Sequence, residues 1–308
     1  MTPGNDSFMT QFILAGLTDE SDLQLPLFFL FLVMYIITVM GNLSLIILIG
    51  LSSHLHTPMY FFLLNLSFID VCYSSVFTPK MLMNIISKKN ISYKGCMTQL
   101  YFLCFFGISE CYVLTSMAYD RYVAICNPLL YNIAMSPKVC SSLMLGSYLM
   151  AFFDAMTLIG CMLRLVFCDA NIINHYLCDI HPLLQLSCTS TYLIQLEVII
   201  ASGVNIIVPS LTIFISYGLI LSNILHISSM EGRSKAFSTC SSHIIAVSLF
   251  FGSSAFVYLK PSSESMSEGK ISSVFYTNVV PMMNPLIYSL RNKDVKLAVR
   301  KAVRRAKF

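Results

Sequence analysis

Seven stretches of this chain are long and apolar enough to cross a lipid bilayer, and that leaves few folds open. They run at roughly 23–50, 58–86, 96–126, 141–166, 196–225, 237–259 and 271–290. A spanning helix needs about 20 apolar residues to match a hydrocarbon core about 30 Å thick. In lipid every backbone N–H and C=O must find a partner without water, so a span is either a helix or one strand of a closed barrel. Barrel strands read as segments of about ten residues with alternating hydrophobicity, and none occur here. Only 11% of the 308 residues are charged, where a soluble domain carries about a quarter. The pattern predicts an all-α membrane protein with a seven-transmembrane helix bundle over residues 23–290. An N-terminal segment, 1–22, precedes it and a tail, 291–308, follows. Loops are short, apart from about 30 residues between the fourth and fifth spans.

Residues 1–22 hold four acids (Asp6, Asp19, Glu20, Asp22) and no Lys or Arg. A cleaved signal peptide needs a basic start, so the first span reads as an uncleaved signal-anchor with the N-terminus outside. The cytoplasmic side then carries Arg121, Lys138, Arg233, Lys235 and eight basic residues of the tail. The outer side carries seven, Lys80, Lys88, Lys89, Lys94, Arg164, Lys260 and Lys270. The excess of positive charge inside supports this orientation, although the basic first outer loop runs against it. The tail supplies most of the net charge of +4, which points to a membrane surface or a partner protein and not to nucleic acid. Within it Val295, Ala298, Val299, Ala302, Val303 and Ala306 recur at helical spacing. Lys296, Arg300, Lys301, Arg304 and Arg305 fall largely elsewhere, predicting a short amphipathic eighth helix on the inner leaflet.

Seven of the eleven cysteines (Cys72, Cys104, Cys111, Cys126, Cys140, Cys161, Cys240) lie in or beside spans and read as packing residues. Cys96, Cys168, Cys178 and Cys188 lie at the outer face, where disulfides persist. Four cysteines allow three pairings. Of the sequons, Asn42 and Asn65 sit inside spans; Asn5 is the expected glycan site and Asn90 a second, poorer one. The outer stretch His175-Tyr176-Leu177-Cys178-Asp179 has metal-ligand residue types, but a disulfide-bonded Cys has no thiolate to give. No nucleophile–base arrangement, phosphate loop or HExxH occurs, so nothing points to an enzyme.

Polar residues inside the spans carry the remaining information. Asp120-Arg121 ends the third span, where a charge at mid-membrane costs about 2.5–3.5 kcal/mol and is functional by default. The guanidinium fork can exchange one partner for another, as an ammonium does less well. Glu110 lies one helix stretch above it, about 16 Å at 1.5 Å per residue. Asp70 and Glu110 are acids inside the second and third spans; two buried carboxylates close together should share a proton or hold a cation, and hard oxygen ligands suit sodium. Pro209 and Pro285 interrupt the fifth and seventh spans.

The run Met117-Ala118-Tyr119-Asp120-Arg121-Tyr122-Val123-Ala124-Ile125-Cys126 resembles the Asp-Arg-Tyr block of odorant receptors, within the rhodopsin-like G-protein-coupled receptors. Leu55 to Asp70, Lys235 to His243, Asn284-Pro285-Leu286-Ile287-Tyr288 and the opening Phe12 to Thr18 resemble the same family, and the likeness extends to Asn292. The opening and the long outer loop look like those of the tetrapod-type (class II) group.

The resemblance implies a disulfide Cys96–Cys178, with Cys168–Cys188 closing the loop on itself; Cys96–Cys188 is the rival. It implies a sodium site of Asp70, Glu110, Asn42 and Asn284, with a protonated packing cluster as the alternative and no other cofactor. It implies a G-protein switch of Asp120, Arg121, Tyr122, Tyr217, His243 and Tyr288. One departure is that no acid in the sixth-span block can clamp Arg121, since Arg233 and Lys235 occupy the approach and only Glu231 is near. Asp120 with hydroxyls of the sixth helix is then the expected brake, with His243 either a proton-sensitive part of it or a hydrogen-bonded packing residue.

The implied pocket draws on Leu100, Leu103, Cys104, Gly107 and Ile108, on Val198, Ser202 and Asn205, on Phe251, Ala255 and Tyr258, and on Thr277 and Asn278. No Asp or Lys is among them, so the expected ligand is small, neutral and mostly apolar. Phe251 is the expected apolar floor and Tyr258 the hydroxyl above it. The implied partners are a volatile odorant and the stimulatory olfactory G protein, signalling through cyclic AMP from the plasma membrane of sensory cilia. Two rivals remain at this point: a receptor for an internal metabolite, and an ion-coupled transporter or channel using Asp70 and Glu110. Transporters commonly carry internal repeats, and none is found.

Overall fold

The structure, a computed structural model, describes residues 10–18, 20–87, 89–168, 171–226, 229–259, 266–291 and 293–305. Asn5 lies outside the described residues, as do the side chains of Glu231 and Lys235. Six helices are long and apolar enough to cross a membrane: α1 (Ser21–Leu51), α2 (Pro58–Ile86), α3 (Tyr93–Cys126), α4 (Pro137–Met162), α5 (Tyr192–Leu225) and α6 (Met230–Tyr258). The seventh, α7, is Met266–Val274, a single π turn at Phe275–Val279, and Val280–Arg291. A short α8 (Lys293–Arg305) follows.

Local chemistry sets several helix starts. Pro58 and Pro137 occupy first-turn positions of α2 and α4, where the missing N–H is no loss. Ser92 caps α3 by accepting from the Gly95 N–H at 3.1 Å, and Ser229 caps α6 through the Gly232 N–H at 3.1 Å. The sixth span begins inward of the apolar run read from the sequence, because polar residues from Met230 onward continue the helix beyond the lipid.

α2 and α3 form the centre. In each, 56% of the most apolar window is buried, against 28% for α1, α4 and α5, whose remaining faces meet lipid. The core divides in two. An inner cluster gathers Leu45, Leu66, Leu114, Met117, Ala246 and Tyr288, and an outer one gathers Phe77, Leu100, Ile173, Leu177 and Tyr276.

The outer core is roofed by a three-stranded sheet that sequence periodicity does not announce. β1 (Gln11–Leu14) lies between β2 (Asn90–Ser92) and β3 (Ile172–Ile173), antiparallel to the first and parallel to the second. Phe12 and Leu14 are fully buried, Phe12 packing edge-on to Phe167 at 5.2 Å. The basic residues of the outer side have a use here. Lys89 Nζ donates to the Ala15 carbonyl (2.9 Å), Lys80 Nζ to that of Asn90 (2.7 Å), and Lys270 Nζ to Asn174 Oδ1 (2.7 Å). These three tie carbonyl oxygens of the lid.

α7 is held to α1 at its proline. Pro285 cannot donate to the carbonyl of Pro281, and Asn42 Nδ2 supplies the missing bond at 3.0 Å. A Cβ on Gly41 would sit 3.1 Å from Pro285 Cγ, so glycine there admits the close approach. At the far end Val295 and Ala298 bury α8 against the inner core, while Val299 is exposed. Lys301 Nζ meets His54 Nε2 at 3.1 Å.

Candidate functional site

A cavity of about 610 Å³ opens in the outer half of the bundle. α3 contributes Leu103, Cys104, Gly107, Ile108 and Cys111; α5 contributes Val198, Ser202, Asn205 and Ile206; α6 contributes Phe250, Ser254 and Tyr258. Tyr73 and Tyr276 close it from α2 and α7, and Ile180 of the long loop lies above. Met150, Asp154, Thr157 and Leu158 of α4 complete the wall, with Glu197 beside them on α5. Pro209 removes the N–H that would bond the Asn205 carbonyl, so α5 is locally loosened beside the cavity.

The lid is pinned at two places. Cys96 is bonded to Cys178, which joins α3 to the long loop, and Cys168 to Cys188, which closes the loop on itself. Just beyond the first bridge Asp179 is buried, and it accepts from the hydroxyls of Tyr258 (3.2 Å) and Tyr276 (3.3 Å) and from the Ile180 N–H (2.7 Å). The Tyr176 hydroxyl meets Thr277 Oγ1 at 2.9 Å. His175 stacks on Tyr176 and accepts the Leu177 N–H at Nδ1 (3.3 Å). Burial pushes the His175 imidazole down to about 4; the Asp179 carboxylate opposes this and the Lys270 ammonium reinforces it. Among the described residues no three His, Cys, Asp or Glu gather as metal ligands.

Below the cavity Asp70, Glu110 and Asn284 meet. Asn284 Nδ2 lies 3.1 and 3.2 Å from the two Asp70 oxygens and 3.4 Å from Glu110 Oε1. Glu110 Oε2, Asn284 Oδ1 and Asn42 Oδ1 are buried and have no hydrogen-bond partner. Unpaired buried acceptor oxygens of this kind fit a hard cation or an added proton.

At the inner end Asp120 is buried and accepts from the Tyr131 hydroxyl at 2.7 Å. Tyr131 sits in a one-turn helix, Tyr131–Ala134, of the second inner loop, and burial, followed by the Asp120 charge, pushes its phenol up. The Tyr217 hydroxyl and His243 Nδ1 are 2.6 Å apart, linking α5 to α6. Arg121 is half-buried and lies within electrostatic range of Asp120, Tyr217, Cys240, His243 and Tyr288. The Tyr288 hydroxyl is buried without a partner.

A bundle with this geometry has known counterparts. The sequence profile of the family described as "Olfactory receptor" matches residues 31–306, most of the chain. The chain belongs to the olfactory receptor family. It is 71% identical over 304 residues to human Olfactory receptor 8B3, covering 98% of this chain and 97% of that one. It is 66% identical over 310 residues to human Olfactory receptor 8B8, covering 100% of both. The crystal structure of squid rhodopsin superposes with a TM-score of 0.74 at 20% identity, over 92% of this chain and 81% of that one, which bears on the fold alone. This olfactory receptor is thus a seven-helix, rhodopsin-like G-protein-coupled receptor of the plasma membrane and not an enzyme.

Against the expected pocket, the receptor brings Leu103, Cys104, Gly107, Ile108, Val198, Ser202, Asn205 and Tyr258 to the cavity wall, and leaves five residues off it. Leu100 is fully buried in the outer core. Phe251 and Ala255 pack with the inner core, because the stripe Phe250, Ser254, Tyr258 at four-residue spacing is the one that meets the cavity. Thr277 is engaged by Tyr176, and Asn278 Oδ1 accepts from Thr78 Oγ1 at 3.2 Å, so neither is left for a ligand. The Tyr258 hydroxyl is turned to Asp179. The premise of an acid-free wall fails at Asp154 and Glu197, and with it the ground for expecting a neutral ligand. Asp154, an acid in the middle of an apolar span, was the signal that could have found this wall. Asp120 has a partner the sequence did not offer, Tyr131 from the inner loop, and the side chains of Ser238 and Thr239 on the sixth helix lie outside the described residues.

Proposed function

We propose that the receptor takes a small, mostly apolar odorant into the 610 Å³ cavity and activates a heterotrimeric stimulatory G protein of the olfactory type, raising cyclic AMP. One observation carries the reading. Three of the helices that wall the cavity, through Leu103–Cys111, Asn205 and Phe250–Ser254, also carry Arg121, Tyr217 and His243 toward their inner ends. A ligand shifts the equilibrium only by the difference in its affinity for the two states. Contacts that prefer α6 displaced from α5 oppose the Tyr217–His243 bond. Its loss lets Arg121 turn from the Asp120–Tyr131 pair toward the G protein, with Tyr122 at its side and Tyr288 free to accept it. The cilia of olfactory sensory neurons are the expected site of action.

Sodium at Asp70 and Glu110, with Asn284 and Asn42 adjacent, belongs to the same proposal. It would hold the resting arrangement through the oxygens that lack partners, and a shared proton is its competitor. A panel of volatiles screened on transfected cells with a cyclic AMP readout tests the main reading, which fails if no volatile acts on surface-expressed receptor. Repeating the response in sodium-free medium tests the ion. Potency should depend on sodium in the wild type and not in Asp70→Asn, and an unchanged dependence in the mutant favours the proton.

A further inference from the structure

Among the described residues, no Lys, Arg or His lines the cavity, yet two carboxylates do. They are not equivalent. Glu197 lies beside the Cys161 thiol near the outer ends of α5 and α4, and Arg164 is within electrostatic range of the same thiol. Asp154 lies deeper in the span. It sits eight residues below the outer end of α4, about 12 Å into the span, where an ionisable side chain is expensive unless something answers its charge. It is half-buried, and one oxygen, Oδ2, accepts from Asn205 Nδ2 at 2.9 Å. Asn205 is itself fixed, accepting from the Tyr112 hydroxyl at 2.8 Å and donating to the Ala201 carbonyl at 2.9 Å. A three-helix relay of Tyr112, Asn205 and Asp154 therefore holds the carboxylate at the edge of the space. The wall also offers the apolar side chains of Ile108, Leu158, Ile206 and Phe250.

We propose that this cavity takes a protonated amine with an apolar body, its ammonium against Asp154 and its hydrocarbon along those four side chains. A charge-assisted bond in a water-poor site is roughly twice as strong as a neutral one, so the amine of a given skeleton outbinds its alcohol. The inference rests on the cavity being the ligand site, and it adds the charge of the ligand. Asp154 acts as a specificity residue, and the Asn205 relay positions it.

The test uses the purified full-length receptor in detergent and follows thermal stabilisation by phenethylamine and phenethyl alcohol. Wild type should half-saturate at a tenfold or lower concentration of the amine than of the alcohol. Asp154→Asn keeps an oxygen for Asn205 and should abolish that preference, bringing the half-saturating concentrations of amine and alcohol together. Asp154→Glu should restore part of it and guards against a folding artefact. The proposal is overturned if the alcohol binds as well as the amine, if neither stabilises folded wild type, or if Asp154→Asn weakens both equally. A cyclic AMP arm separates it from the reading it rests on. Asp154-dependent amine binding without a signal leaves this inference standing and removes the coupling. Neutral volatiles that signal while amines neither bind nor compete do the reverse.

Discussion

The two ends of the bundle treat their buried polar groups in opposite ways. At the outer end Asp179 is caged by Tyr258, Tyr276 and the Ile180 N–H, two disulfides pin the loop, and β1 is bonded on both edges. Each of these restrains the lid together with the others. At the inner end the described residues show Tyr131 on Asp120, Tyr217 on His243, and a Tyr288 hydroxyl with no partner. A redundant network specifies one arrangement. A sparse one, with an unpaired buried hydroxyl beside a movable guanidinium, leaves two arrangements close in energy. The outer end keeps the ligand site in shape, and the inner end is the part that can switch.

The largest test of this contrast is covalent. The Cys96–Cys178 bridge closes a separation of 82 residues and Cys168–Cys188 one of 20. Loss of a structural disulfide typically costs about 2–5 kcal/mol, and the longer loop stands to lose more. Cys96→Ser and Cys178→Ser should each stop maturation, measured as surface receptor, and the double mutant should be no worse than either. Cys168→Ser should retain part of the surface signal. If both bridges prove equally dispensable, the outer end is not the rigid one.

Next is the inner end. Arg121→Ala should reach the surface, because both disulfides and the lid sheet lie at the other end of the bundle, and yet raise no cyclic AMP with any agonist. Tyr131→Phe, which frees Asp120, should do the opposite and raise the basal signal about two- to tenfold, the effect of one hydrogen bond of about 0.5–1.5 kcal/mol. Full signalling by Arg121→Ala would remove the switch from this end altogether.

A smaller and graded test is acid. The lid holds His175 neutral, with a folded pKa of about 4 against an ordinary 6.5. A depressed imidazole favours the folded lid above pH 6.5, and that stability is lost as pH falls from about 6.5 toward 4. The loss is at most about 3 kcal/mol, at 1.36 kcal/mol per unit, and Asp179 lessens it while Lys270 adds to it. Thermal stability should therefore fall over that window in wild type and stay flatter in His175→Gln. Identical slopes would mean that the lid is not what acid opens.

How legible the two ends were in the sequence follows from what makes each. The spans were readable because lipid dictates their length, and Asn42, Asp70, Glu110 and Asn284 stood out as polar residues where no water is available. The lid sheet was not, since β3 is two residues long and only its pairing with β1 defines it. The α3 and α5 walls could be named from family resemblance. The α4 wall could not, although Asp154 carried its own physical signal. Phe251 illustrates a subtler failure: it lies within one residue of the stripe that meets the cavity, and a rotation of 100° per residue puts it on the core side. The Tyr131–Asp120 bond joins a loop to a helix, and no periodicity predicts it.

Tyr258 gives the smallest effect and the sharpest division between lid and ligand. It lines the cavity, but its hydroxyl donates to Asp179 at 3.2 Å and lies 3.1 Å from that of Tyr276. Tyr258→Phe removes one of three donors to Asp179 and leaves the ring in the wall. Losing one hydrogen bond of about 0.5–1.5 kcal/mol should weaken every agonist by a common factor of roughly two- to tenfold, without reordering them. Ser254 is one turn inward on the same stripe, and its hydroxyl group belongs to the wall. Ser254→Ala should therefore change the order of agonists, favouring the less polar, with little loss for the best apolar one. Dose–response curves for a matched set of agonists at equal surface expression decide the matter. If Tyr258→Phe reorders the agonists and Ser254→Ala does not, the tyrosine hydroxyl faces the ligand and the Asp179 cage is not what closes the lid.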